Sequence, residues 1–239
     1  MAPRISYVLP VHNQEAVIAH SVASLRERLQ IHPGSEILLI ENGSSDSSAA
    51  VCAALAQRHG ADAVPVRMAR SAQGMGHALR CGIEHAHGDV LVLTAADMPF
   101  GFTDLDAYLT CRPRPAVAIG SKAHAASRTR IPLQRRVMSH AFRLLRWIVL
   151  GLHVRDSQGT ILIDAQLARA LAPKLCCGDY LISTEIVTWA SRMGHAPVEL
   201  PVTYVAPRSS TVSPIRDSVR MARGLFALRG RLRSQPAAR

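Results

Sequence analysis

The residues best suited to chemistry are Glu41-Asn42-Gly43-Ser44-Ser45-Asp46, which follow the apolar run Glu36-Ile37-Leu38-Leu39-Ile40. That run is long enough for a buried strand and too short for an independent helix. Its polar sequel then falls at the carboxyl edge of a sheet, where open α/β sheets bind their ligands. The same residues also read as a plain turn into a capped helix, because Ser44, Ser45 and Asp46 can accept from exposed amides. Asp97 follows the run Val90-Leu91-Val92-Leu93 in a similar way. Cations gather elsewhere. Residues 120–155 hold eight Lys or Arg and no Asp or Glu, and residues 208–239 hold eight Arg and one acid, Asp217. The rest of the chain carries a net −4, so the overall charge of +11 resides in two segments suited to a polyanion. Arg135 and Ser139 are four apart, share a helical face and can present a guanidinium and a hydroxyl to one phosphate. A solvated loop is the plainer reading of such a charge run, although the lack of any acid argues against self-neutralisation.

The elements that must position these groups alternate strand and helix. Strands are expected at Ile5–Leu9 (stopped by Pro10), 37–40, Val64–Val66 and 90–93. Helices are expected at Glu15–Leu29, Ser47–His59 and Gly74–Ala86. This order predicts an α/β fold with a mostly parallel central sheet, right-handed crossovers and flanking helices. Beyond residue 100 the pattern is less regular. It predicts strands at Ala116–Ile119 and Thr160–Ile163, a helix running to about Val149, and helices at Asp164–Leu171 and Ser183–Met193. An edge strand over Val198–Val205 is interrupted by Pro201, and a basic amphipathic helix covers 215–230.

The 239 residues suit one large domain with an appendage, and 48% of them are apolar, enough for a sizeable core. Five cysteines without metal-ligand spacing and no secretory signal predict a reduced, cytoplasmic setting. The longest clean apolar run, Trp147–Leu152, falls short of the roughly 20 residues a spanning helix needs. The expectation is a protein that rests on a membrane without crossing it. Aromatic residues are 4% of the chain, too few for the stacking platforms of single-strand binders, so lipid and phosphate are favoured over nucleic acid. His85 and His87 diverge on a helix and make no metal pair.

Taken in order, the motifs resemble the family 2 glycosyltransferases. Val8-Leu9-Pro10-Val11-His12-Asn13-Gln14-Glu15 is similar to the family's Pro-x-Tyr/Phe-Asn-Glu opening, and Glu41–Asp46 to its Asp-Asp-Gly-Ser-x-Asp. Gly74-Met75-Gly76-His77-Ala78-Leu79 is similar to Gly-Lys-Gly-x-Ala-x, with Met75 at the lysine position. Asp156-Ser157-Gln158-Gly159-Thr160 resembles the Asp-Thr-Gln-x-Gly of the polyprenyl-phosphate mannosyl- and glucosyltransferase branch. Glu185 and the stretch from Pro201-Val202 to Ser210 also match that branch. The resemblance covers about residues 5 to 225.

It implies a GT-A fold in residues 1–207, with a nucleotide-binding half at 1–100, an acceptor half at 101–207, and a basic lid, amphipathic helix and tail at 208–239. It also implies an inverting transfer of a hexose from a UDP- or GDP-sugar to a polyprenyl phosphate at the cytosolic membrane face. Pro10, Val11, Asn13, Glu15, Glu41, Ser44, Gly74, Gly76 and Arg208 would bind the nucleotide-sugar. Lys122, Arg135 and Ser139 would take the acceptor phosphate. Asp97, Asp156 and Gln158 would be catalytic. Asp97 stands where the family has an Asp-x-Asp metal motif whose first acid is here Ala95, so Mg²⁺ or Mn²⁺ would have one protein carboxylate. An anionic membrane surface and a separate membrane-anchor protein complete the implied partners. Two alternatives stay open: a nucleotide-sugar-binding protein with weak or lost catalysis, and a transferase with a soluble acceptor.

Overall fold

Seven short runs rich in Ile, Leu and Val assemble one sheet. In the computed structural model, which describes residues 2–205 and 214–234, these are β1 (Ile5–Val11), β2 (Glu36–Glu41), β3 (Val66–Arg70), β4 (Val90–Leu93), β5 (Val117–Ser121), β7 (Ile161–Asp164) and β8 (Val198–Pro201). Their order is β3-β2-β1-β4-β7-β5-β8, and only β7 runs antiparallel to its neighbours. A parallel sheet needs both faces covered, and the period-2 alternation of each strand supplies two apolar faces. Tyr7, Leu9, Ile37 and Leu39 pack under α1 (Ile18–Leu29), α2 (Ser48–His59) and α4 (Thr103–Thr110). Val8, Leu38, Leu91 and Ile163 pack under α3 (Met75–His85), α6 (Ala165–Leu171) and α7 (Ile182–Arg192).

Two further helices lie to one side. α5 (Leu133–Leu150) and α8 (Pro214–Ser234) pack together, with Val149 and Leu225 meeting Leu181 in a small apolar cluster. A second sheet of two strands pairs β6 (Arg128–Arg130) in parallel with β9 (Thr203–Val205).

Several expectations shift. β1 continues through Pro10 to Val11. The Val8 carbonyl accepts from Thr94 on the β4 side, so Pro10, two residues on, faces the same way beyond the end of β4. Its missing N–H leaves no ladder bond unmade. α1 begins at Ile18, three residues after Glu15, because a turn closed by Gln14 precedes it. β3 spans Val66–Arg70 rather than Val64–Val66. The Val198–Val205 segment divides at Val202, so β8 joins the main sheet and β9 pairs with β6.

Candidate active site at the carboxyl edge of the sheet

The parallel strands all end at one edge, and the loops leaving β1 and β2 are laced there by side chains. Glu41, buried at the end of β2, accepts from the Ser44 amide at 2.6 Å. Asn13, at φ 53°, accepts from the Ser45 amide at 2.8 Å, and its own amide donates to Ser44 Oγ at 3.2 Å. Glu15 accepts from the Ser47 amide at 2.8 Å, so its carboxylate serves the entry to α2 rather than to α1. Asp46 accepts from the Ser48 and Glu15 amides, and hydrogen bonds from Ser48 hold its carboxyl below the ordinary range. Pro10 and buried Val11 lie in β1 directly behind this lacing.

The glycine pair opens α3. Gly74 sits at φ 125°, and a Cβ on Gly76 would lie 2.0 Å from the Cys177 carbonyl oxygen. The Gly76 amide donates to the Gly178 carbonyl at 2.9 Å, so that amide is spent inside the protein and is not offered to a phosphate. The 176–178 loop is itself held by buried Glu185, which accepts from the Cys176 and Cys177 amides at 2.9 and 2.8 Å. With that carboxylate beside it, burial pushes the Cys177 thiol up to about 12.

Asp97 lies in the turn after β4, exposed, with no hydrogen bond from the described residues. The turn is tight, with Met98 at φ 45°. Across the strand end, Thr94 Oγ1 and Thr160 Oγ1 meet at 2.9 Å, which ties the β4 exit to the residues preceding β7. Among the described residues no three His, Cys, Asp or Glu side chains cluster as a metal site. Asp97 offers a single carboxylate, a hard oxygen donor, so a hard ion there would need its other oxygens from a bound ligand.

The segment before β7 meets the end of β5. Asp156 Oδ2 pairs with Lys122 Nζ at 3.2 Å and accepts from the Lys122 amide, while Oδ1 accepts from the Gln158 amide at 2.9 Å. Lys122 Nζ also lies 5.6 Å from the Phe100 ring centre and 5.7 Å from that of Tyr204, two rings packed edge to face. Glu199 accepts from Ser121 Oγ and the Asp156 amide. Gln158 Nε2 donates to Thr184 Oγ1 at 3.0 Å.

These groups border a cavity of about 470 Å³ whose lining includes Lys122, Arg136, Arg143, Arg146, Arg155 and Ser139, with Asp156 its one carboxylate among the described residues. Four predicted site residues, Lys122, Ser139, Asp156 and Gln158, are thus brought together. Arg135 lies in the first turn of α5. Arg208 falls outside the described residues. An adjoining groove of about 470 Å³ runs between α5 and α8 along Met138, Phe142, Leu145 and Met221, and it shares Ser139, Phe142 and Gln158 with the cavity.

Sequence reasoning missed the Phe100–Tyr204 pair, Thr184, Glu199 and the buried Arg146. Only Arg146 left a signal. It is four residues after Phe142 and three before Val149, on the face of α5 that turns inward.

The family model described as glycosyl transferase family 2 matches residues 6–105. The chain is similar to a dolichyl-phosphate beta-glucosyltransferase of Drosophila melanogaster, at 27% identity over 94% of this chain and 74% of that one. Among solved structures it resembles glucosyl-3-phosphoglycerate synthase from Mycobacterium tuberculosis in complex with uridine-diphosphate, with a TM-score of 0.66, 19% identity, and coverage of 96% of this chain and 80% of that one. The same enzyme with Mn²⁺, UDP-glucose and glycerol 3-phosphate aligns at a TM-score of 0.64 and 19% identity, over 95% of this chain and 78% of that one. Residues 6–105 thus match the glycosyl transferase family 2 model, and the chain is a glycosyltransferase built on the GT-A fold.

Proposed function

We propose that the enzyme moves a hexose from a UDP- or GDP-sugar to a polyprenyl phosphate, inverting the anomeric centre, at the cytosolic face of a membrane. The observation that carries this reading is the cavity rich in cations and poor in acids, joined through Ser139, Phe142 and Gln158 to an apolar groove. One compartment suits a phosphate and the other the first isoprene units. The dolichyl-phosphate relative supports the same acceptor class, and glucose is accordingly the first sugar to test.

In this reading residues 1–100 hold the donor, residues 101–207 hold the acceptor, and residues 208–239, with Arg208, form the lid. Pro10, Val11, Asn13, Glu15, Glu41 and Ser44 shape the base and ribose pocket, and Gly74 and Gly76 fix the entry to α3 beside it. Lys122, Arg135 and Ser139, with Arg136, hold the acceptor phosphate. A phosphate oxygen forms the new bond to the anomeric carbon as the bond to the donor's diphosphate breaks and its electron pair leaves with the nucleotide. The attacking oxygen is already anionic, so no general base is needed, and positioning and charge compensation supply the catalysis. Gln158 orients the sugar, and Asp156 keeps Lys122 aimed at the reacting oxygens. Asp97 would hold Mg²⁺ or Mn²⁺, whose charge would offset that of the departing diphosphate.

Membrane contact is supported by α5. Leu133, Val137, Leu144, Trp147 and Ile148 are 49–73% exposed on a helix whose first turn holds no acid. Such a face suits an interfacial helix. No helix among the described residues is long and apolar enough to cross a membrane. A soluble phosphorylated acceptor is the second reading, favoured by the glycerol 3-phosphate in the structural neighbour.

The test is to incubate radiolabelled UDP-glucose and GDP-mannose with the enzyme and polyprenyl phosphate vesicles, then to separate lipid from aqueous label. Label in the lipid fraction, lost in Asp97→Ala by roughly 10²- to 10³-fold, is the expected result. Label confined to a water-soluble phosphoester would overturn the lipid acceptor.

A further inference from the structure

Arg146 is 1% exposed and ranks among the largest fully buried side chains of the protein. Its Nη1 donates to Ser157 Oγ at 2.7 Å, its Nη2 donates to the Val154 carbonyl, and its buried Nε has no partner among the described residues. Among the described residues no carboxylate lies within ion-pair distance of it. Removing a cation from water without a counter-ion is strongly unfavourable. Burial accordingly pulls the guanidinium below its ordinary range, against the weaker opposing fields of Asp156 and Glu199. A loop clamp alone would not need the charge, since a neutral amide can also donate to a hydroxyl or a carbonyl.

The location explains what the charge faces. Arg146 borders the cavity that Lys122, Arg136, Arg143 and Arg155 also line. The Ser157 hydroxyl that it touches meets Thr184 Oγ1 at 2.8 Å, and Thr184 in turn receives Gln158 Nε2. One buried guanidinium therefore anchors the chain of contacts that ends at Gln158 and also leaves uncompensated charge under the cavity wall.

We propose that Arg146 is a positioning residue that forms the electrostatic floor of this cavity, fixing Gln158 through Ser157 and Thr184 and completing its own charge balance only when a phosphate monoester enters. This rests on the reading of the cavity as the acceptor-phosphate site. The fold thereby exchanges some stability of the empty protein for affinity toward a phosphoryl group.

The experiment measures thermal unfolding of the full chain against inorganic phosphate, with UDP alone as a parallel series and no sugar donor or lipid present. Wild type should gain stability with phosphate. Arg146→Met should start at an equal or higher melting temperature, lose at least tenfold in apparent phosphate affinity and keep its response to UDP. Arg146→Lys should recover most of the phosphate response. Ser157→Ala should keep that response, because the guanidinium charge stays in place, and in a separate turnover assay with donor and lipid it should lower kcat with little change in KM, because the link through Thr184 to Gln158 is cut. An unaltered phosphate response in Arg146→Met, or a loss confined to the UDP series, overturns the inference and leaves the cavity reading standing. No phosphate response in wild type overturns both. Should Arg146→Met fail to fold, the other two variants decide. Ser157→Ala losing the phosphate response as fully as expected for the charge deletion would reduce Arg146 to a clamp.

Discussion

The β1 and β2 exits and the wall across the cleft manage charge in opposite ways. At the exits, Asn13, Glu15, Glu41 and Asp46 each accept a backbone amide from the 44–48 turn, so their polarity is already spent on structure. On the wall, Lys122 alone of the cavity's five Lys and Arg side chains is ion-paired among the described residues, and its carboxylate partner also serves two backbone amides. A shape fixed in advance suits a rigid, neutral ligand part such as a base and ribose. Uncommitted cations suit a partner that brings its own negative charge. Substitutions in the first region should therefore register as stability, and those in the second as turnover.

Lys122→Met should break that contrast most visibly if it is wrong. The enzyme should lose about 10²-fold in kcat/KM for the acceptor, while its melting temperature moves little, because a partly exposed ion pair contributes about 0–1 kcal/mol. A large drop in melting temperature would make Lys122 a structural residue. Glu41→Gln is the converse case. The amide keeps one oxygen for the Ser44 N–H but removes the charge that strengthens this bond and buries an NH2 group in place of the second oxygen, which should destabilise the protein by about 1–3 kcal/mol in urea unfolding. Gly76→Ala places a methyl against the Cys177 carbonyl and should cost about 1–3 kcal/mol, with donor affinity changing only as far as the 176–178 loop shifts.

The smallest expected effect sharpens the comparison from outside both regions. Asp104 is buried in α4, and burial raises its carboxyl above the ordinary range. A raised acid binds its proton more tightly in the folded state, so ionisation costs stability above that range. Asp104→Asn should be the more stable form at neutral pH by about 1 kcal/mol or less, and the gap should close as pH falls through the raised pKa into the ordinary carboxylate range. A gap that widens on acidification would reverse the sign.

How far the sequence disclosed this arrangement depended on burial. β1, β2 and β4 are apolar on both faces, so their runs stood out, and the polar residues after them located the sheet edge. β6 consists of three exposed residues, Arg128-Thr129-Arg130, and carries no apolar pattern at all. It forms only because β9 arrives from far along the chain, which local propensity cannot anticipate. Within the site, Asp156, Gln158, Lys122 and Ser139 were legible from motif and charge. The Phe100 and Tyr204 rings around Lys122 were not, since they are 104 residues apart and meet only through the fold. Gly76 is legible only as part of a motif, because the carbonyl that excludes a side chain there belongs to a distant loop.

The small β6–β9 sheet has a mechanical consequence. The Arg128 amide donates to the Val202 carbonyl at 2.9 Å, the Val202 amide donates to Ser127 Oγ, and Ser127 Oγ donates to the Ser121 carbonyl at the end of β5. The arginine-bearing loop and the chain leaving the last strand are therefore sewn along one hem. Whatever stills residues 128–130 must also still residues 203–205, so a visitor gripping one margin of the cleft tightens the other without touching it.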